Sequence, residues 1–305
     1  MTLTDTPLVS VILVTYNSGR YVIDALDSIK AQTWKNIELI ITDDASTDNT
    51  VQVCADWLVK NKDCFPSTKL ITVAQNTGIS SNCNRGLRTV NGEWVKIIAG
   101  DDTLLKNAIV DNLMYAKQFP DASFIISDLQ EIDEKGALLS NNTTNEALIF
   151  FSGLPSVKKQ LKDYSRWPAF LNTPTFFYRR SVLEKINYFD EEFRIYEDTT
   201  TLIRVLQNNI KLYYMRTPTV AYRVHQNGIS RNPLMNEIRE KESFQVFRKY
   251  RKPHLNPFNP IDLSVHYESW LRFKYKGFNG RKGTALLSKF SLFYWYLKAN
   301  GIKSY

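Results

Sequence analysis

Apolar positions recur along the first part of this chain in two alternating patterns. Leu8 to Val14 is a continuous apolar, β-branched run, the pattern of a strand covered on both faces. From Tyr21 to Gln32 the spacing becomes helical, with Val22, Ile23, Leu26 and Ile29 on one side. The alternation continues. Strands are predicted at Ile37 to Thr42, Leu70 to Val73, Trp94 to Ile98 and Ala122 to Ser127, and helices at Thr47 to Leu58, Ile79 to Arg88 and Leu104 to Phe119. Strands alternating with helices imply an α/β class with a mostly parallel central sheet and helices on both faces.

Beyond Ser127 the pattern loosens. Asp133-Glu134-Lys135-Gly136 reads as a hairpin turn. Phe176 to Tyr178 is strand-like, Ser181 to Ile186 a short helix, Thr199 to Gln207 a helix, and Leu212 to Met215 and Val220 to Arg223 two strands. After Asn232 the chain is helical and basic, interrupted by Pro253, Pro257 and Pro260. A helical C-terminal appendage over 233–305 is therefore expected.

Composition narrows the class without choosing a function. The chain has 305 residues, 43% hydrophobic and 23% charged, ordinary values for a soluble globular protein. Met1 to Pro7 lacks the pattern of a signal peptide, and Leu286 to Leu297 is too short to span a membrane and contains Lys289. Cys54, Cys64 and Cys83 have neither metal-ligand spacing nor an even count, so a cytoplasmic location is expected. The net charge of +8 is unevenly placed: Asn236 to Tyr305 holds 14 Lys/Arg against 5 Asp/Glu.

In open α/β sheets, ligands bind beyond the carboxyl ends of the strands. Thr15-Tyr16-Asn17 follows the first predicted strand, Asp43-Asp44-Ala45-Ser46-Thr47-Asp48 the second, and Gly100-Asp101-Asp102 the strand ending near Ile98. Asp, Ser and Thr cap helices, but one cap needs one residue, and two acidic pairs at neighbouring strand ends exceed that need. Carboxylates gathered at one rim call for a cation, and Mg²⁺ or Mn²⁺ with phosphate oxygens is the natural partner. The chain has no glycine-rich dinucleotide fingerprint and no Gly-Lys-Ser/Thr phosphate loop.

The ordered set Ser10 to Asn17, Gln32-Thr33-Trp34, Asp43 to Asp48, Asn76-Thr77-Gly78-Ile79, Asn84-Arg85-Gly86 and Gly100-Asp101-Asp102 resembles glycosyltransferase family 2 from residue 8 to about residue 230. That resemblance implies a GT-A fold with a Rossmann-like sheet over 1–232, divided into a nucleotide-binding half, 1–128, and an acceptor half, 129–232. It implies an inverting transferase that uses a nucleotide-sugar, a UDP-sugar first of all, and builds bacterial surface polysaccharide or glycolipid. By the same likeness Thr15, Tyr16, Asn17, Asp44, Asn76, Gly78, Asn84, Arg85, Asp101 and Arg223 bind the donor. Tyr16 stacks on the base, Asp44 accepts its N–H, and Arg223 faces the diphosphate. Asp102 is implied as the direct ligand of Mn²⁺ or Mg²⁺, with Asp101 nearby and His225 completing the shell. The sequence departs from the commoner family pattern at Ala99 and Cys83, where many relatives carry an acid and an arginine.

Sugar transfer needs a base for the acceptor hydroxyl. Asp190-Glu191-Glu192 and Glu197-Asp198 are the candidates; the second pair matches the family's Glu-Asp motif, which implies Asp198 as base with Glu197 beside it. The acceptor implied is a glycan or a lipid-linked saccharide. In the C-terminal quarter, 15 aromatics lie among the basic residues. Most suit a helical core, but the mixture also suits an anionic membrane surface at the inner face of the cell membrane. No nucleic-acid module is present, and nucleic-acid binding is not expected. The competing readings are an inactive sugar-nucleotide or polysaccharide scaffold, and a nucleotidyltransferase, for which Thr15 to Arg20 lacks a glycine- and basic-rich loop.

Overall fold

The computed structural model describes residues 6–140, 146–167, 173–226, 228, 235–274, 289 and 291–299. Its first half follows the alternation in the sequence: β1 (Val9–Thr15), α1 (Val22–Lys30), β2 (Ile37–Asp43), α2 (Thr50–Asn61), β3 (Thr68–Thr72), α3 (Ile79–Leu87) and β4 (Trp94–Ala99). These strands pair in parallel in the order β3-β2-β1-β4. Every residue of β2 is buried, as its near-continuous apolar run requires. Alternate side chains feed two cores. Ile12, Ile40, Val95 and Ile97 enter one, and Val11, Leu13, Leu39, Ile41 and Ile98 enter the other.

The second half extends the same sheet through β5 (Thr103–Leu104), α4 (Ala108–Gln118), β6 (Phe124–Ile132), β7 (Leu138–Ser140), α5 (Glu146–Ser152), α6 (Val157–Arg166), β8 (Phe176–Arg179), α7 (Arg180–Lys185), α8 (Glu197–Gln207) and β9 (Tyr213–Arg223). The nine-stranded sheet has the order β3-β2-β1-β4-β8-β6-β9-β5, with β7 on β6. Strand β8 runs against β4 and β6. Because β9 is parallel to β6, strands β1, β2, β3, β4, β6 and β9 share one direction.

Three expectations change. Leu104 begins no helix: it pairs with Val220 in β5, and α4 starts at Ala108. The two strands expected between Leu212 and Arg223 are one, because register shifts on either side of the Asp128–Pro218 pair absorb Arg216, Thr217 and Thr219 and pairing resumes. Helices α5 and α6 form in a stretch whose sequence has no clear period. The buried face of α6 is Gln160, Asp163, Tyr164, Ser165 and Arg166, so an apolar count cannot see it.

The C-terminal region folds as α9 (Asn236–Val246), a π-helical turn at Phe247–Arg251, a 3₁₀ turn at Lys252–His254, α10 (Pro260–Lys274) and α11 (Leu292–Ala299). Val246 and Tyr250 enter the main core, while Phe247, Val265, Phe293 and Leu297 form a smaller cluster with Ala147. The start of the expected appendage is therefore integral to the main body. Helix α10 is pinned by a buried ion pair: Arg166 Nε donates to Asp262 Oδ1 at 2.6 Å, and Asp262 Oδ2 accepts from the Asn256 amide at 2.9 Å. No helix among the described residues is long and apolar enough to cross a membrane.

Removing Asp262 leaves Arg166 Nε without its partner, with Asp163 at 3.0 Å the carboxylate that remains to the guanidinium. Asp262→Ala is expected to cost about 3 kcal/mol in urea unfolding, with proteolysis opening first at α10. An unchanged midpoint and cleavage pattern would mean that this pair does not hold the helix down.

Candidate active site

Register brings the strand ends together: Thr15 lies beside Asp43, and Val14 beside Ala99. Gly100 lets the chain turn there, since a Cβ would stand 2.8 Å from the side chain of Ser18 and 3.0 Å from that of Thr15. Asp43 shapes its own loop, accepting from Thr15 Oγ1 at 2.7 Å, the Ser46 amide at 2.8 Å and Ser46 Oγ at 2.6 Å. Asn17, at φ 50°, accepts the Thr47 amide at 2.8 Å and so latches the first loop to the second. Asp48, the residue before the N-cap Asn49, accepts the Thr50 amide at the start of α2 at 2.9 Å and the Gly19 amide at 3.0 Å. Between the loops the Tyr16 ring is 49% exposed.

Asp44 is buried and saturated. It accepts from the Thr77 amide (2.9 Å), Thr77 Oγ1 (2.7 Å), the Gly78 amide (2.7 Å) and Arg85 Nη2 (2.5 Å). A carboxylate offers about four lone-pair sites, so no acceptor is left for a base N–H while these bonds hold. The Gly78 amide reaches Asp44 because the residue adopts φ +93°, a conformation side chains avoid. Asn84 is likewise buried and committed, donating to Phe189 O at 3.0 Å and Glu191 Oε1 at 2.8 Å. Asn76 is exposed and accepts from Arg194 Nη2 at 3.0 Å.

The second acidic pair meets the end of β9. His225 Nε2 lies 2.9 Å from Asp101 Oδ2, and the Arg223 amide donates to Asp102 Oδ1 at 2.8 Å. The Asp101 side chain keeps 30% of its surface open, whereas Asp102 is buried and its Oδ2 has no partner. Burial and the Asp101 charge hold the Asp102 carboxyl well above its usual range. Arg223 does not present itself to a diphosphate, contrary to expectation. Nε donates to Asp101 O (2.8 Å), Nη1 to Asp133 O (3.3 Å) and Glu134 O (3.2 Å), and Nη2 to Asp24 Oδ2 (2.9 Å). Its guanidinium also lies 4.7 Å from the centre of the Tyr21 ring, which in turn touches His225 at 5.2 Å.

Among the described residues no three His, Cys, Asp or Glu side chains gather as a cage. A donor set of adjacent carboxylates, one orphaned oxygen and one imidazole still fits a hard divalent cation that takes the rest of its shell from phosphate and water.

Glu197 and Asp198 open α8 and are partly buried. Glu197 Oε1 accepts from Thr173 Oγ1 at 3.1 Å while its Oε2 is unpartnered, and Asp198 accepts the Thr199 amide at 2.5 Å. Burial raises both carboxyls, and the charge of Asp198 raises Glu197 further, so at neutral pH Asp198 is the ionised member. Cys83, fully buried, responds to the charges of both Glu197 and Asp44, so the pair and the nucleotide loops share one neighbourhood. The rival acids are engaged elsewhere: Lys249 holds Asp190 at 2.8 Å and Glu192 at 2.6 Å, and Arg88 holds Glu191 at 2.9 Å.

Sequence reasoning missed five contributors. Tyr21 and Asp24 read as helix, and Thr173 lies in an irregular stretch. Arg194, over Gly78, and Glu242, whose carboxylate accepts the Arg194 amide at 2.9 Å and the Ile195 amide at 3.1 Å, sit in charged segments. A buried glutamate among Lys and Arg leaves no signal in the sequence.

A family model described as Glycosyl transferase family 2 matches residues 10–187. The chain is 29% identical to Glycosyltransferase GlyG of Streptococcus pneumoniae serotype 4 over 127 residues, 42% of this chain and 40% of that relative, and so spans less than half of GlyG's length. Among solved structures it is similar to S. aureus TarS 1-349 in complex with UDP-GlcNAc (TM-score 0.64, 17% identity, 93% of this chain and 79% of that one). It is also similar to the mannosyltransferase PcManGT of Pyrobaculum calidifontis in complex with GDP-Man and Mn²⁺ (TM-score 0.61, 18% identity, 98% and 80%). The likeness to both identifies the fold as GT-A.

Arg223→Lys keeps the charge but loses the fork that serves α1, the acidic turn and the β6–β7 turn together. It is expected to cost about 3 kcal/mol in thermal or urea unfolding. A variant as stable as the parent would mean the fork is dispensable.

Proposed function

Because this chain belongs to glycosyltransferase family 2, we propose that it transfers a sugar, with inversion, from a UDP-sugar to a hydroxyl of a glycan or lipid-linked acceptor in the assembly of a bacterial surface polysaccharide, at the inner face of the cell membrane. The observation that carries this reading is the meeting of the half-exposed Tyr16 ring, the partly exposed Asp101 with His225 against it and the raised Glu197–Asp198 pair around the carboxyl ends of one sheet. That TarS binds UDP-GlcNAc on the same fold supports the donor class.

Tyr16 stacks on the base; its ring is open and the loop beneath it is latched by Asn17. Asn76 and Arg85 border the nucleotide, and Thr15, Gly78 and Asn84 hold the loops in shape. Asp101, His225 and the orphaned Oδ2 of Asp102 would hold Mn²⁺ or Mg²⁺, and Asp102 Oδ1 fixes the turn on which Asp101 stands. When bound, the cation supplies Lewis-acid stabilisation of the departing diphosphate. Asp198, set by the first turn of α8, takes the proton of the acceptor hydroxyl as the oxygen attacks the anomeric carbon from the face opposite the leaving group. Glu197 keeps its own proton and leaves Asp198 as the base.

Calorimetry with UDP, with and without Mn²⁺, is expected to show metal-dependent binding. Asp101→Asn should weaken Mn²⁺ binding, followed by the electron spin resonance of the free ion, by about tenfold or more. Absence of nucleotide binding under every condition would return the chain to the inactive-scaffold reading.

The base makes a separate demand. A carboxyl raised to about 6 holds its proton to higher pH, so the rate should fall as pH drops through about 6, above the ordinary carboxylate range. Asp198→Asn should lower kcat by about 10²–10⁴ with UDP binding intact. Equal activity in that variant would remove Asp198 from the chemistry.

A further inference from the structure

The strongest feature left unused by this reading is on the far helices. Along α10 the exposed large apolar residues are Leu263 (53%), Tyr267 (59%), Trp270 (39%) and Phe273 (56%), the last with one face stacked on Phe244, while Asp262 and Val265 are buried. Helix α11 repeats the pattern with Leu292 (49%) and Trp295 (50%) outward and Phe293 and Leu297 inward. The Leu292 amide donates to Ser264 Oγ at 3.1 Å, so the first turns of the two helices adjoin.

Each helix places a lysine over its outward tryptophan: Lys274 Nζ stands 4.8 Å from the Trp270 ring and Lys298 Nζ 5.1 Å from the Trp295 ring. The two acids of α10 are withdrawn, Asp262 onto Arg166 and Glu268 onto Arg272. From Ser269 to the last residue the sequence has eight Lys/Arg and no Asp or Glu, equal to the net charge of the whole chain, +8.

We infer that the outward faces of α10 and α11 form a surface that lies on an anionic lipid bilayer. Contiguous exposed apolar side chains mark an interaction site. The pairing of tryptophan with lysine suits the headgroup level, where the ring enters the acyl boundary and the ammonium reaches back to anionic headgroups. Protein interfaces are depleted in lysine at their cores, and single-stranded nucleic acid stacks on aromatics but makes no use of Leu263 and Leu292. At about 1.5 Å per residue, α10 offers about 22 Å of helix to lie flat on the surface. For its use the inference rests on the proposed function, since a flat-lying α10 would bring the catalytic body to a lipid-linked acceptor.

The test is co-sedimentation and tryptophan fluorescence of the full chain with vesicles of phosphatidylcholine alone, or with about one-third phosphatidylglycerol, at low and high salt. Partition onto anionic vesicles, lost at high salt, is expected. Lys274→Ala/Lys298→Ala should weaken it by about 30-fold, about fivefold per lysine. Trp270→Ala/Trp295→Ala should abolish the blue shift and most of the binding; urea unfolding of both variants checks that these exposed changes leave the fold intact. No partition at low salt, equal binding to neutral vesicles, parent-like binding by either variant, or a stable dimer that buries both tryptophans would each overturn the inference. UDP calorimetry on the same preparation separates the two ideas: vesicle binding without UDP binding sinks the transferase reading alone, and UDP binding without vesicle binding sinks this surface alone.

Discussion

The buried guanidinium of Arg223 is the interaction on which the site depends. It stands at the end of β9, in the second half of the chain, yet its partners are Asp24 on α1, the carbonyl of Asp101 and the carbonyls of the β6–β7 turn. A charge in that position is tolerable only when every nitrogen is paired. The requirement therefore fixes one helix and two turns against one another at once. Since the adjoining amide also holds Asp102 Oδ1, the turn bearing Asp101 cannot shift unless β9 shifts with it. His225, two residues on, is delivered to Asp101 by the same strand end.

The other carboxylates divide by how they are satisfied. Asp43, Asp44 and Asp48 spend their oxygens on backbone amides and hydroxyls of neighbouring loops, and they behave as fixed parts of the scaffold. Asp102 and Glu197 each keep one buried oxygen without a partner. Such an atom is costly unless it is protonated or meets a cation. An orphaned oxygen alone does not mark the site, since Asp128 Oδ2 in β6 also lacks a partner, but at Asp102 and Glu197 it lies among the residues assigned to chemistry. Two acids adjacent in sequence can differ in this way, and residue type alone does not separate them.

The parallel half of the fold was legible because its strands are buried on both faces and its helices carry apolar stripes; Leu8 to Val14 and Ile37 to Thr42 could hardly be anything else. The strand-end rule then pointed to Thr15, Asp43 and Asp101 without any structure. Legibility failed where burial is polar. Helix α6 hides Gln160, Asp163 and Arg166, and the two-residue β5 is made by its pairing with β9 rather than by its own sequence. Arg223 was singled out correctly as unusual and given the wrong partner. An arginine beside an acidic motif reads the same whether it faces a phosphate or closes a loop, and only the acceptors around it decide.

The same limit explains why the C-terminal region looked separable. Its basic and aromatic composition changes abruptly, which reads as a boundary. Yet Glu242 of α9 receives the amides of Arg194 and Ile195, and its charge helps to keep Glu197 protonated. Val246 and Tyr250 fill the core that supports α8. The segment from Arg194 to Asp198 is therefore held from two sides. Arg194 reaches across to Asn76 on the nucleotide loops, and α9 holds the backbone from behind. A base that must stay near the donor while the acceptor arrives needs its loop fixed in this way, because proton transfer is useful only at hydrogen-bond distance. The helix that sequence composition would detach is, in the folded chain, part of what places Asp198.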